Sequence, residues 1–200
     1  MIMKKRIKIV FTGHSIVNGY PFSRKYSFPD IAGSLLPENY TVINRGVNGE
    51  STADILFRFR QDVIEEEPDA VFIMAGTNDF IYRTATPKDA VRDCRRMFDL
   101  AKAAGIETVF MTSPHVNIVQ ASESWPATTA EDYARVQAEI KEYNGLLADL
   151  SAAEGISLLD VYGEYQNYGR FQDGIHPTAE GQRLIAEMCV RQILRMFASE

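Results

Sequence analysis

Five short, mostly apolar runs alternate with longer amphipathic segments along this chain, and this alternation constrains the fold more than any other feature. The runs are rich in β-branched and aromatic residues and are predicted as strands over 7–11, 40–44, 70–75, 108–112 and 156–160. The third run contains no polar residue, which is typical of a strand buried on both faces of a parallel sheet. The pattern predicts an α/β fold, in which helices cover both faces of a five-stranded parallel sheet.

The helical segments between these runs begin and end at typical capping residues. Ser51 and Thr86 stand at helix starts, and Gly105 and Gly155 stand where two helices are expected to end. One helix opens at residue 51, and the others are predicted over 30–36, 86–104, 129–153 and 177–197. Two connecting segments are predicted as long loops, which in a compact domain are often functional: 114–128 and 162–174.

Length and charge limit the class of protein. A chain of 200 residues with 46% hydrophobic content predicts a single domain over residues 1–200. The net charge of -6 does not favour nucleic acid or an anionic membrane as a partner. No apolar run approaches the ~18 residues of a membrane span, and Lys8 interrupts the N-terminal stretch, which is too short for a signal sequence. We therefore expect a cytoplasmic protein.

Cofactor and metal motifs are not recognisable in the sequence. Cys94 and Cys189 lie in helical patterns without metal-ligand spacing. The glycine-bearing loop over 13–19 has neither the lysine of a P-loop nor the three glycines of a dinucleotide fingerprint. We expect neither a metal nor a cofactor. The oligomeric state cannot be predicted, since the apolar side of the C-terminal helix suits either its own core or a partner.

Polar segments that contain glycine follow four of the five predicted strands. They are residues 13–15, 46–51, 76–79 and, after a connecting loop, 173–176. Because the carboxyl ends of parallel strands meet at one edge of a sheet, and ligands bind outside that edge, we expect these segments to converge there.

Three residues in these segments are of the types that nucleophilic catalysis requires. Serine is a weak nucleophile until a base takes its proton, and a carboxylate keeps that base in the correct tautomer. Ser15 follows the first strand, whereas Asp173 and His176 lie three residues apart in one loop. A serine in this position is otherwise a common turn former or helix N-cap residue.

The four segments together resemble the ordered sequence blocks of the SGNH hydrolases, also called the GDSL esterase and lipase family. The resemblance extends from residue 7 to about 185 and rests on Gly13-x-Ser15, Asn44 to Ser51, Gly76-Thr77-Asn78-Asp79 and Asp173-x-x-His176-Pro177. It implies a three-layer α/β/α fold of the flavodoxin-like type and hydrolysis of small-molecule esters or thioesters through an acyl-enzyme. By the same resemblance Ser15 is the nucleophile, His176 the base and Asp173 its orienting acid.

The resemblance also assigns the oxyanion hole to the backbone N–H groups of Ser15 and Gly49 and to the side-chain amide of Asn78. Fixed donors of this kind lower the barrier by ~3 kcal/mol each, and glycine lets the backbone approach the substrate closely. Asp79 is expected to be a structural hydrogen-bonding neighbour of the site.

His14 departs from the family pattern, which usually has Asp between the glycine and the serine. A neutral imidazole can still donate and accept hydrogen bonds, so we expect activity to be retained. A Ser15–His14 dyad is a rival arrangement. His115, which follows the fourth strand, is expected to be either a pocket-wall residue or a solvated loop histidine.

The sequence therefore predicts a serine esterase that acts on short-chain acyl or acetyl esters, since no long apolar lid is evident. Aromatic residues in segments 20–22 and 162–171 and at Trp125 either line a substrate pocket or pack over the sheet edge. The alternatives are a non-catalytic flavodoxin-like binding module and, within the family, a lysophospholipase, a thioesterase or a carbohydrate deacetylase.

Overall fold

A five-stranded parallel sheet is the middle layer of the structure, a computed structural model that describes residues 5–198. The strands run in the order β2-β1-β3-β4-β5, and every neighbouring pair is parallel. They are β1 (Ile7–Gly13), β2 (Tyr40–Gly46), β3 (Ala70–Met74), β4 (Glu107–Met111) and β5 (Ser157–Leu159). The predicted domain of residues 1–200 also includes 1–4 and 199–200, which lie outside the described residues.

Helices cover both faces of the sheet. Together they complete the three-layer α/β/α arrangement, which confirms the predicted fold class. On one face lie α3 (Thr52–Asp62), α5 (Pro87–Ala103) and α7 (Ala130–Glu154), and on the other lie α2 (Phe28–Leu35) and α9 (Ala179–Met196). None of the helices within residues 5–198 has the length and apolar character to span a membrane.

Four further helices, of eight residues or fewer, each follow the carboxyl end of a strand. They are α1 (Ser15–Asn18) after β1, α4 (Thr77–Ile81) after β3, α6 (Ile118–Ser124) after β4 and α8 (Val161–Tyr168) after β5. The last two occupy the segments that were predicted as long loops, and that prediction was wrong. The side chain of Asn117 accepts a hydrogen bond from the Gln120 N–H at the start of α6, and Asp160 caps α8 in the same way.

The strands bury side chains on both faces, as predicted for the apolar third strand. In β3, Val71 and Ile73 pack in the layer of α3, α5 and α7, whereas Phe72 packs in the layer of α2 and α9. The Phe72 ring lies 4.7 Å from the ring of Phe11 in β1. These side chains are fully or almost fully buried, and their alternation follows from the period of two in a strand.

Capping residues fix the helix boundaries close to the predicted positions. Ser51 and Thr86 each form a capping box at the starts of α3 and α5. The last helix begins at Ala179 instead of the predicted Pro177. The reason is that Pro177 forms an isolated bridge with Phe171, and the Thr178 side chain is the N-cap.

The strand order creates a crevice between β1 and β3. From β1 the chain crosses to β2 on one side, and from β3 it crosses to β4 on the other. Connections that diverge in this way leave an opening at the carboxyl ends of the two strands, where α/β proteins bind ligands. Ser15 lies two residues after the end of β1 at Gly13, and Asn78 lies four residues after the end of β3 at Met74.

Loss of the Phe72 ring is expected to destabilise the fold, because it leaves a cavity at the centre of the sheet. We predict that Phe72→Ala lowers the free energy of unfolding by about 3–5 kcal/mol in urea denaturation. Phe57→Ala is the matched control, since the Phe57 side chain is 91% exposed, and its change should stay within about 0.5 kcal/mol. Equal losses in both variants would contradict this assignment of the core.

Candidate active site

The turn that carries Ser15 is built by a close approach of backbones at the end of β1. A Cβ atom on Gly13 would lie 2.3 Å from the Met74 carbonyl oxygen, and one on Gly46 would lie 2.3 Å from the Asn18 nitrogen. Only glycine allows these contacts. The first contact brings the ends of β1 and β3 together, and the second seats α1, whose first residue is Ser15, on the end of β2.

Ser15, His176 and Asp173 form one continuous line of hydrogen bonds. The Ser15 Oγ and His176 Nε2 atoms are 2.8 Å apart, although the two residues are separated by 161 positions in the chain. The His176 Nδ1 atom lies 2.7 Å from Asp173 Oδ2. Because Nδ1 faces a carboxylate, it carries the proton and donates, so Nε2 is free to accept from the serine hydroxyl.

The Asp173 carboxylate is held in its charged form. Burial raises its pKa, but hydrogen bonds from the His176 side chain and from the His176 and Ile175 N–H groups outweigh burial, so the pKa lies below its usual value. The Oδ1 atom accepts both backbone bonds, at 2.8 Å from His176 and 3.1 Å from Ile175. The same carboxylate therefore shapes the loop and orients the imidazole.

The loop of Asp173 and His176 is fastened to the β4 side of the site. The Asn117 N–H donates to the Gly174 carbonyl at 2.8 Å, and the Gln172 N–H donates to the His176 carbonyl at 2.8 Å. Gly174 has φ +86, and a Cβ there would lie 2.2 Å from the Ala121 nitrogen. The helix α6 therefore supports this loop through direct backbone contact.

The three predicted oxyanion donors line a single cavity of about 530 Å³ next to His176: Ser15, Gly49 and Asn78. Gly49 has the left-handed φ of +80. The Asn78 Nδ2 atom donates one hydrogen bond to the Glu50 carbonyl at 2.9 Å, and an amide nitrogen carries a second hydrogen that is available to a ligand.

Asp79 supports the site by joining α4 to the start of α3. It is buried, and its Oδ2 atom accepts from the Thr52 N–H at 2.9 Å and from the Thr52 hydroxyl at 2.8 Å. Burial raises the pKa of this carboxyl, and the bonds from Thr52 offset part of that rise. As predicted, Asp79 is a structural neighbour, because it ties α4 to the start of α3 and does not line the cavity.

Most of the remaining cavity wall is apolar or aromatic, with Asn48 and Thr128 as its polar members. Among the described residues, none that lines it is Asp, Glu, Lys or Arg. The Tyr20 ring lies 4.7 Å from the His176 ring, and Trp125 lies 6.3 Å from it. Sequence reasoning identified both of these aromatic residues as candidates but missed Ile81, Tyr82 and Tyr133, which come from helix faces whose orientation a local pattern does not reveal.

The aromatic residues that precede Asp173 pack around His115 rather than lining the cavity. The His115 ring lies 4.8 Å from the Phe171 ring and 6.1 Å from the Tyr165 ring. His115 is half-buried, and burial lowers its pKa. His115 is therefore neither a pocket-wall residue nor a solvated loop histidine. It belongs to an aromatic cluster with Tyr165 and Phe171.

His14 is buried beside Ser15 but points away from the line of hydrogen bonds. Its Nδ1 atom accepts from the Ile16 N–H at 3.4 Å, as the N-cap of α1. Burial, together with the nearby charge of His176, lowers the pKa of His14 to about 3. The imidazole is therefore neutral at ordinary pH, and the Ser15 hydroxyl bonds to His176 instead.

Comparisons with known proteins identify the family of the chain. A profile of the GDSL-like lipase/acylhydrolase family matches residues 11–184. An arylesterase of Vibrio mimicus is 25% identical over 194 residues, which cover 94% of this chain and 88% of the relative. An acetylxylan esterase of Geobacillus stearothermophilus is 27% identical over 162 residues, which cover 76% and 71%.

A solved structure has the same fold over almost its whole length. The lipase/acylhydrolase from Enterococcus faecalis superposes with a TM-score of 0.79 at 26% identity, and covers 95% of this chain and 96% of its own. The family profile spans most of the chain, including the segments that contain Ser15 and Asp173. The chain therefore belongs to the GDSL-like lipase/acylhydrolase family, the SGNH hydrolases, and is an ester hydrolase.

Proposed function

We propose that this hydrolase is a serine esterase that cleaves short-chain acyl or acetyl esters through an acyl-enzyme. Ser15 is the nucleophile, His176 the general base and Asp173 the carboxylate that orients it. The observation that carries the proposal is the continuous line of hydrogen bonds from the Ser15 hydroxyl through both imidazole nitrogens to the Asp173 carboxylate.

Each step of the reaction uses this line. As Ser15 Oγ attacks the ester carbonyl carbon, His176 Nε2 takes the hydroxyl proton, and Asp173 stabilises the imidazolium that forms. The C–O bond to the alcohol breaks, and His176 returns the proton to the leaving oxygen. A water molecule then attacks the acyl-enzyme with the same base, which releases the carboxylic acid and regenerates Ser15.

The negative charge that develops on the carbonyl oxygen is met by the donors of the same cavity. The N–H groups of Ser15 and Gly49 and the free hydrogen of the Asn78 amide are the proposed oxyanion hole. Asn78 is fixed by its bond to the Glu50 carbonyl, so it does not have to reorganise during the reaction. A preorganised donor of this kind is worth ~3 kcal/mol of barrier.

The composition of the cavity wall favours uncharged substrates. No acidic or basic side chain among the described lining residues would pair with a charged acyl or alcohol group. The names of two relatives, an arylesterase and an acetylxylan esterase, support a small acyl group on a ring-shaped alcohol. Carbohydrate deacetylation is the second candidate, favoured by the partly exposed rings of Tyr82 and Trp125 on the cavity wall, which suit stacking on a sugar.

Replacement of the nucleophile tests the proposal. In hydrolysis of p-nitrophenyl acetate and butyrate, Ser15→Ala should lower kcat by about 10⁴-fold or more, because the other groups act through this oxygen. Ser34→Ala, an exposed serine of α2, is the matched control and should retain the rate of the unmodified protein. Serine-independent turnover in a folded Ser15→Ala variant would refute the proposed mechanism.

Acyl chain length tests the proposed substrate class. The cavity of about 530 Å³ has to hold the acyl chain together with the leaving group. We expect kcat/KM for p-nitrophenyl butyrate to exceed that for the octanoate by about tenfold, which is ~1.4 kcal/mol of barrier. Ser15→Ala supplies the background rate for each ester, and faster turnover of the octanoate would show that the preference for short chains is wrong.

The buried His14 predicts a pH dependence of stability. The pKa of His14 is about 3 in the folded chain and ~6.5 in the unfolded chain. Burial of the neutral side chain therefore contributes fully to the free energy of unfolding above pH ~6.5, and this contribution is lost as the pH falls towards 3. Between pH 6 and 4 the free energy of unfolding should fall more steeply than in His14→Asn, by about 1 kcal/mol per pH unit. Parallel curves from urea denaturation would contradict this.

Two histidine variants distinguish the triad from the rival Ser15–His14 dyad in the same ester assay. If His176 is the base, His176→Ala loses Ser15-dependent turnover while His14→Asn keeps it. A Ser15–His14 dyad requires the opposite result.

A further inference from the structure

The loop that carries Gly49 is exposed, and a small number of contacts fixes its position. We call residues 47–50, between β2 and α3, the Gly49 loop. Val47, Asn48 and Gly49 are all exposed, and only Glu50 is partly buried. The Val47 N–H donates to the Gly13 carbonyl at 3.0 Å, and the Asn48 side chain accepts from Asn18 at 2.8 Å.

A single arginine joins this loop to the end of the nucleophile strand. Arg58 lies about two turns into α3. Its Nε atom donates to Glu50 Oε2 at 2.6 Å, and its Nη2 atom lies 2.6 Å from the same oxygen. The Nη2 atom also donates to the Gly13 carbonyl at 3.2 Å, and Nη1 pairs with Asp62.

The contacts of Arg58 reach residues close in sequence to two members of the site. Glu50 is the neighbour of Gly49, and Gly13 is two residues before Ser15. One planar guanidinium therefore holds both the loop of an oxyanion donor and the strand end that presents the nucleophile. Arginine suits this task because its donors form a rigid fork, whereas lysine offers one flexible point charge.

The pair between Arg58 and Glu50 is largely shielded from water. Their side chains are 14% and 18% exposed. Burial raises the pKa of the Glu50 carboxyl, and the hydrogen bond and charge of Arg58 counteract that rise. Without the guanidinium, Glu50 would be an unpaired charge in a partly buried position, which is costly. The carboxylate would then be drawn out towards water together with the loop.

We propose that Arg58 is a positioning residue that holds the Gly49 N–H in register with Ser15, and so stabilises the transition state without touching the substrate. Arg58 is absent from the cavity wall. The inference rests on the proposed function, because it assigns Gly49 to the oxyanion hole. A misplacement of a reacting group by about 1 Å is enough to cost about 10²-fold in rate.

Arg58→Gln is the test, in the full-length chain with p-nitrophenyl butyrate as the probe. We expect kcat to fall about 10- to 100-fold while KM changes by less than about twofold, since a transition-state contact is lost and ground-state binding is not. The affinity for phenylboronic acid, whose tetrahedral adduct places an oxygen in the oxyanion hole, should fall by a similar factor.

Two further variants test whether Arg58 acts through Glu50. Glu50→Gln should lower kcat to a comparable extent, and the double variant should lower it little further, because both single changes break one interaction. Additive losses in the double variant would overturn this route of action.

Asp62→Asn is the matched control. It removes an ion pair of the same arginine but leaves the contacts of Arg58 with Glu50 and Gly13, so kcat should stay within about twofold even where Tm falls. Equal losses of kcat in Asp62→Asn and Arg58→Gln would overturn the proposal, as would an unchanged kcat in Arg58→Gln.

If Arg58→Gln does not fold at the assay temperature, Arg58→Lys takes its place and should give an intermediate loss of kcat with unchanged KM. An unchanged kcat in that variant would overturn the proposal too. Ser15→Ala in the same assay distinguishes failure of the proposed role of Arg58 from failure of the proposed serine esterase function. If it retained turnover, the proposed function itself would fail, whatever Arg58 does.

Discussion

The parallel pairing of β1 with both β2 and β3 is the constraint on which the rest of the site depends. In this register Gly13 lies opposite Gly46 on one side and opposite Met74 on the other. The three strands therefore end at the same level, and the segments that follow them start side by side. A shift of one residue in either pairing would turn the side chains of a strand to the wrong face and would also move one segment of the site away from the others.

Buried polar side chains convert this alignment into fixed geometry. The Asn44 amide at the end of β2 donates to the Val17 carbonyl and to the Ser27 hydroxyl, while its oxygen accepts from the Gly46 N–H. Asp79 and Arg58 have similar tasks around the start of α3. Buried polar groups need hydrogen-bond partners inside a protein, and each of these three side chains has at least two. The site is thus held mainly by polar contacts above an apolar core.

Much of the fold and the placement of the candidate site residues could be predicted from the sequence, because those signals are local. An apolar run such as 70–75 indicates a buried strand by itself, and Asp173 and His176 meet because they share one loop. The helices α6 and α8 were missed because α6 buries only Ala121 and α8 only Val161 and Tyr165, so neither shows an apolar period. Contacts such as that of Arg58 with Gly13 span 45 positions and depend on packing, so no local pattern encodes them.

The common loop of Asp173 and His176 has a mechanical consequence. Because Asp173 and His176 are three residues apart and the Asp173 carboxylate also accepts from the loop's own N–H groups, the two side chains are held together within one loop. Ser15, in contrast, is the first residue of α1, directly beyond the end of β1. Loosening of the contacts with α6 would therefore lengthen the distance between His176 and Ser15 while the bond between His176 and Asp173 stayed intact. A site loosened in this way would keep its Asp173–His176 pair assembled and would recover its geometry once the loop returned to α6.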